Sequence, residues 1–144
     1  MRTTTSTATK LFTIGLGIML SACMLFAKAP KELDYSRTRT SERGLFRGTI
    51  HPQGDTIPKG KLQRWTLHLE TVDGVAIDSV KIAVDGGMPQ HGHGLPTKPR
   101  VTRDLGNGDH IVDGIKFNMG GWWVVKFRLE AAQGSDSLVF NLSL

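Results

Sequence analysis

Three side chains that bind soft transition metals lie close together near the middle of the chain. Met88 precedes His91 and His93 in the segment Asp85–Pro99, whose sequence is DGGMPQHGHGLPTKP. Imidazole binds copper, zinc and nickel, whereas a thioether is a soft ligand that favours copper(I). The combination therefore predicts a copper site rather than a calcium or magnesium site.

The glycines and prolines of this segment bear on how the ligands converge. Gly87, Gly92 and Gly94 let the backbone wrap, so that both imidazole rings can turn towards a common point. Pro89 and Pro96 limit the conformational entropy that is lost when the loop orders. Long loops in compact domains usually carry function, and this loop fits that expectation.

Seven segments of strand length surround the loop, and none of the chain beyond residue 42 predicts a long helix. Apolar and polar residues alternate in them, as when Trp65, Leu67 and Leu69 follow every second position. Seven short antiparallel strands are typical of an immunoglobulin-like β-sandwich, so we expect an all-β domain of that type behind an N-terminal signal or anchor segment. The predicted strands are 43–51, 61–72, 76–84, 100–105, 109–117, 121–130 and 136–144.

Two short connections contain residues that readily adopt positive φ. Residues 72–74 and 105–109 are therefore predicted to form hairpins that return each strand to its neighbour. The connection at 85–99 is too long for such a turn.

Strand direction extends the candidate site beyond the loop. In an alternating antiparallel chain every second loop returns to the same end, so residues 51–60, 85–99 and 118–121 are expected to share one end. His110 is then expected at the other end, and His68 points outward in mid-strand. The predicted metal ligands are His91, His93, Met88, Met119 and His51.

The same residues also fit a domain without metal. A His-x-His pair in a glycine-rich loop occurs by chance on protein surfaces, Met119 fits a plug of the core, and His51 fits an exposed strand end. Of the two adjacent tryptophans, the outward Trp122 fits packing under the loop, stacking on a ligand or a cation–π cover over copper(I).

The N-terminal residues predict export. Residues 1–10 are polar and basic, and residues 11–27 carry no charge, as in the n-region and h-region of a signal sequence. Leu20–Cys23 matches a lipobox, but an uncleaved anchor and a cut after Ala29 remain open. We expect residues 1–29 to be a signal, lipoprotein signal or anchor, 30–42 a basic tether and 43–144 the domain. The domain is then periplasmic, attached to a bacterial membrane by lipid at Cys23 or by the anchor.

Composition excludes several classes of protein. The chain has 144 residues and one Cys, which excludes a disulfide scaffold and a cysteine-rich zinc module. Lys and Arg number 18 against 13 acidic residues, and the basic stretch 28–47 suits an anionic membrane surface better than nucleic acid. Because no nucleophile elbow, HExxH helix or phosphate loop occurs, we expect no enzyme.

Two sequence blocks together resemble a known family. Asp85–Gly94 followed by Gly114–Trp123 is similar to the YtkA-like domain, which is related to the FixH-like proteins. The resemblance covers residues 43–144 and implies a membrane-attached extracytoplasmic β-sandwich. FixH-like relatives are associated with assembly of copper-containing cytochrome oxidases, so it also implies copper handling with a cuproprotein or oxidase-assembly partner. Its Met-Pro-x-His-x-His block matches Met88, His91 and His93, and its second Met matches Met119.

The leading hypothesis is a membrane-attached copper-binding and copper-delivery domain with a His/Met loop. The alternative is a metal-free structural or interaction module that docks a membrane or respiratory complex. A third possibility is recognition of a small ligand or sugar through Trp122.

Overall fold

Residues 30–144, the part described by the computed structural model, form an all-β domain. No helix occurs among these residues, and hence none long and apolar enough to cross a membrane. The predictions for residues 11–27, Cys23 and Ala29 lie outside the described residues. The strands are β1 (Thr38–Thr40), β2 (Phe46–Pro52), β3 (Gln63–Thr71), β4 (Val80–Met88), β5 (His93–Gly94), β6 (Arg100–Gly106), β7 (Asp109–Ile115), β8 (Trp122–Ala131) and β9 (Gly134–Ser143).

Alternating side chains give the longer strands one buried face. In β3, Trp65, Leu67 and Leu69 are buried, and the residues between them face outward. Strands β8 and β9 follow the same pattern, as the sequence predicts. Leu62, which immediately precedes β3, lies outside this pattern and is 69% exposed.

The strands pair antiparallel in one continuous, strongly curled sheet. Their order is β1-β2-β3-β7-β6-β4-β8-β9, and the short β5 pairs with the last two residues of β4. Between β6 and β4 the continuity rests on the single pair Ala83–Arg100. The two ends of the order approach each other, since Glu42 N donates to Ser137 O at 2.9 Å. A side chain on Gly48 would collide with Leu138, so this glycine permits the close approach of β2 and β9.

The structure adds two strands to the seven that the sequence predicts. Strand β1 lies inside residues 30–42, which were expected to be a tether, and β5 lies inside the long loop. Strand β4 begins and ends four residues later than predicted, because Gly86 and Gly87 continue the ladder with β8. A glycine-rich run is weak evidence for a strand, yet here the missing side chains allow neighbouring backbones to approach.

Only one of the two predicted hairpins joins paired strands. The turn at 106–108 connects β6 and β7 with Asn107 at φ 57°, which confirms that prediction. Residues 72–74 do form a turn, closed by a bridge between Glu70 and Ala76. The prediction that this turn pairs the two flanking strands is wrong, because β4 pairs with β8 and not with β3. Ile77 is buried in the core and its amide donates to Leu69 O. After Ile77 the chain leaves β3 and continues into β4, which lies beside β8.

A buried carboxylate joins the start of β2 to β9. Asp136 accepts hydrogen bonds from the Ser41 hydroxyl at 2.6 Å and from the amides of Ser137, Arg43 and Leu45. Burial alone would raise the pKa of Asp136, but these hydrogen bonds outweigh it and hold the pKa below its usual value. The ionised group is therefore part of the native structure.

Replacing Asp136 with Asn should destabilise the domain by about 2 kcal/mol near neutral pH, because hydrogen bonds to a charged buried acceptor are lost. A group with a depressed folded-state pKa stabilises the fold above its unfolded pKa of about 3.9, and that contribution disappears as the pH falls through the folded value. The difference between the two proteins should therefore shrink below about pH 4. Urea unfolding across this pH range measures it.

Asp73 in the exposed turn supplies the control, and Asp73→Asn should leave the unfolding midpoint unchanged. A difference for Asp136→Asn that persists undiminished in acid would contradict the assigned role.

Candidate metal centre

Three loops meet at one end of the domain, as strand direction predicts. They comprise residues 53–62, 89–99 and 116–121, and we call this the histidine end. Gly60 N donates to Phe117 O at 2.6 Å, which joins the first loop to the third. A Cβ on Gly121 would lie 2.9 Å from Met88 Cε, so the third loop also contacts the end of β4.

The short hairpin of β4 and β5 sets Met88 and His93 side by side. These two residues are direct partners in the antiparallel register, and Gly87 pairs with Gly94. Side chains of such partners project from the same face, with Cβ atoms about 5 Å apart. The turn closes when the amides of His91 and Gly92 both donate to Met88 O at 3.0 Å. One thioether and one imidazole are therefore neighbours by backbone geometry.

Ring contacts bring in the other two candidate ligands. The His91 and His93 rings stack with centroids 5.8 Å apart, and His93 meets Trp123 edge-on at 6.0 Å. The indole of Trp123 donates to Met119 O at 3.1 Å. Four of the five predicted ligands thus lie in one connected group, which Met119 joins through its backbone carbonyl: Met88, His91, His93 and Met119.

The four residues differ in their exposure to water. Met88 is 1% exposed and forms part of the core, whereas Met119 is 39% exposed and both histidines lie at the surface. A hollow of about 290 Å³ opens beside β5, and Met88, His93 and Gly92 are among the residues that line it. The arrangement combines a buried thioether at the end of β4 with exposed imidazoles in the adjoining turn and β5.

The structure does not bring His51 into this group. Its neighbours Ile50 and Pro52 are buried and His51 is exposed, so its side chain projects from the outer face of β2. It pairs with Thr66 of β3, on the opposite side of the strand from buried Trp65. Sequence spacing placed His51 at the correct end, but strand parity turns its side chain outward.

The remaining histidines have local partners. His110 is buried and its Nε2 lies 2.8 Å from Ile77 O, away from the histidine end. His68 faces outward, with Nδ1 2.7 Å from Asp109 Oδ1. Asp109 therefore contacts the cross-strand His68 and not the adjacent His110, because neighbouring residues of a strand face opposite ways.

No three residues of the types His, Cys, Asp and Glu form a metal-binding group within residues 30–144. The donors at the histidine end are consequently two imidazoles and two thioethers, all of them neutral when the imidazoles are deprotonated. Trp122 is the tryptophan that the sequence predicts to face outward, and its indole donates to Asn141 Oδ1. The ring that contacts His93 is that of Trp123, which faces inward. The alternation of β8 predicts this inward direction and could have identified Trp123 as the neighbour of the loop.

One family profile agrees with the two sequence blocks. The sequence profile of the YtkA-like family matches residues 49–128, more than half of the chain, including all four grouped residues. The chain belongs to the YtkA-like family. No curated protein matches this YtkA-like chain. Among solved structures it is similar to the ZirS C-terminal domain at 13% identity and a TM-score of 0.41, over 97% of each chain.

In this YtkA-like domain, Gly87→Ala should separate β5 from β4, because a Cβ there would collide with His93 O. Loss of about two backbone hydrogen bonds at ~1 kcal/mol each should speed amide exchange of His93 and Leu95 at least tenfold. Hydrogen exchange measured by NMR gives the result, with the β8–β9 amides as an internal reference.

Gly94→Ala is the matched control, since its Cβ would lie 3.4 Å from Gly86 O, an ordinary contact. It should leave exchange nearly unchanged. Unaltered protection in Gly87→Ala would refute the dependence of β5 on this glycine.

Proposed function

We propose that the protein is a membrane-attached, periplasmic, non-enzymatic domain that binds copper and delivers it to a partner. Met88, His91, His93 and Met119 would hold the ion. The observation that carries the proposal is the register of the β4–β5 hairpin, which pairs Met88 directly with His93. Backbone pairing thereby positions a soft and an intermediate ligand together before any ion binds.

The donor chemistry favours copper(I) over divalent ions. Thioethers are soft ligands, and the four donors supply no negative charge to offset a second positive charge. The positive charge of Lys59 adds to this preference for a singly charged ion. Its Nζ lies 3.6 Å from the position that a Cβ on Gly120, the residue after Met119, would occupy. Zinc sites usually use thiolate, imidazole or carboxylate ligands, and the neutral His/Met group lacks two of these three.

Unequal exposure suits transfer of the ion. The imidazoles are at the surface, so a partner's ligands can replace them while Met88 still holds copper from beneath. Trp123 lies edge-on to His93 and shields that side of the group from water. Transfer by stepwise exchange avoids release of a free aquo ion. The partner we propose is a cuproprotein or a cytochrome oxidase assembly protein.

The finer architecture supports a domain that presents loops from a rigid frame. We propose an immunoglobulin-like sandwich of the seven longer strands, with β2-β3-β7-β6 as one sheet and β4-β8-β9 as the other. The single pair Ala83–Arg100 between β4 and β6 favours this division. Lipid at Cys23 or an uncleaved anchor would attach the domain to the membrane.

Anaerobic titration with copper(I) against a chromogenic chelator tests the proposal, with the full chain in detergent. The protein should bind one copper(I) ion, and His91→Ala with His93→Ala should lower affinity by more than the roughly 10- to 100-fold that loss of a supporting residue causes. Zinc should bind only weakly. Copper(I) affinity unchanged by the double substitution would refute the proposed site and favour the metal-free docking module.

Two single substitutions serve as controls for histidine removal. His51→Ala and His68→Ala each delete an imidazole outside the group and should leave copper(I) affinity unchanged. A large loss with either would show that the ligands lie elsewhere.

The thioethers provide a separate prediction about metal preference. Met119→Leu keeps an apolar side chain of similar volume at a partly exposed position, so it should weaken copper(I) binding with little change in stability. Its effect on zinc binding should be small, because thioethers contribute little to zinc. Parallel titrations with the two metals measure the change, and equal losses for both would contradict a soft-ligand role for Met119.

A further inference from the structure

The first described residues enter the domain at the histidine end. Tyr35 shares a hollow of about 180 Å³ with Ile57 and Leu142. Asn141 Nδ2 donates to Asp34 O at 3.2 Å, and Ile50 N donates to Arg37 O at 2.9 Å. These contacts fix residues 34–37 beside the loop 53–62, so the uncharged run 11–27 of the sequence connects to this end of the domain.

The connection is short compared with the domain. Seven residues separate Ala27, the last residue of the uncharged run, from Tyr35, and the eight steps from Ala27 to Tyr35 span at most about 28 Å when fully extended. Strand β9 has ten residues and is about 33 Å long. An attachment at Ala27 therefore keeps the histidine end within about 28 Å of the membrane, whereas the opposite end can lie a strand length farther away.

Charge separates the two ends in the same sense. The histidine-end loops carry Lys59, Lys61, Lys98 and Lys116 against the single acid Asp55. None of the four lysines forms an ion pair in the part of the chain that the structure describes. At the opposite end, the connection 72–79 holds two acids and no basic residue.

Exposed apolar side chains occur at both ends of the domain, with Val72 and Val75 in the acidic connection 72–79 and three others among the lysines. Leu62 is 69% exposed, Met119 is 39% exposed and Tyr35 is 48% exposed, all three at the histidine end. Basic side chains beside exposed apolar ones match the interface of an anionic bilayer, where headgroups attract the lysines and the acyl boundary accepts the apolar groups. Each basic residue near such a surface strengthens partitioning about fivefold.

Resting on the membrane attachment proposed above, we propose that the histidine end lies against an anionic lipid bilayer, with Leu62 and Met119 at the lipid interface. The His/Met group then opens towards the membrane surface and not towards the bulk periplasm. A protein that exchanges a ligand with this group would have to present its own site close to the bilayer, as an integral membrane protein does.

Paramagnetic relaxation tests this orientation without metal in the site. The full chain is placed in nanodiscs of phosphatidylcholine and phosphatidylglycerol that contain a gadolinium-chelating lipid, and amide relaxation is measured by NMR. Amides of Leu62 and Met119 should relax several-fold faster than those of Val75 and Gly108. Equal enhancement at both ends, stronger enhancement at Val75 and Gly108, or failure of the chain to join the discs would overturn the proposal.

Charge variants test the lipid chemistry. Lys59→Gln with Lys98→Gln should weaken the enhancement at Leu62, as should nanodiscs without phosphatidylglycerol. Lys81→Gln with Arg103→Gln removes the same charge away from the histidine-end loops and should not weaken it. Equal effects of the two pairs would refute a lysine-mediated contact. Because no copper is present, this outcome is independent of the copper titration.

Discussion

Two consecutive glycines in β4, Gly86 and Gly87, allow the close backbone contacts that position Met88 beside His93. A Cβ on Gly86 would collide with Val124 O, and a Cβ on Gly87 would collide with His93 O. The backbone of β4 can therefore contact β8 on one side and β5 on the other. These contacts extend β4 to Met88 and return His93 to a position beside it. With larger residues, residues 85–99 would form the long loop that their composition suggests, and the two ligands would have no fixed relation.

Aromatic packing connects this hairpin to the rest of the core. Trp65 contacts Phe117 at a centroid distance of 6.0 Å, Phe117 contacts Trp123 at 5.1 Å, and Trp123 contacts His93 at 6.0 Å. The row crosses from β3 to β8 beneath the loops. Aromatic pairs in tilted and edge-to-face arrangements contribute about 0.5–1.5 kcal/mol each beyond their buried area. His93 is the exposed end of a rigid row, and His91, which stacks on it, belongs to the more accessible turn.

Sequence patterns predicted the strands well and the side-chain directions less well. Alternation identified all seven long strands, and parity correctly brought the loops of Gly60, Met88 and Gly121 together. Parity also decides which way a side chain at a strand end points, because neighbouring residues of a strand face opposite ways. His51 lies at the expected end, but it follows buried Ile50 and therefore faces outward. The sequence did not predict that β4 continues through residues 85–88. Glycines allow close backbone contacts there, but they leave no alternation of apolar and polar residues that would indicate a strand.

The proposed site must attract a metal cation, but the lysines around it repel one. The lysines at the histidine end, which we propose faces the membrane, repel cations, and a divalent ion held by neutral ligands would experience twice the repulsion of a monovalent one. Carboxylate ligands would relieve that repulsion, but they would also weaken attraction of the lysine-bearing loops to anionic lipid. A neutral group of thioethers and imidazoles preserves the basic surface and gains its affinity from softness, not from charge. Copper(I), the ion proposed for this site, is both soft and singly charged, which links the proposed membrane-facing surface to the proposed ligand set.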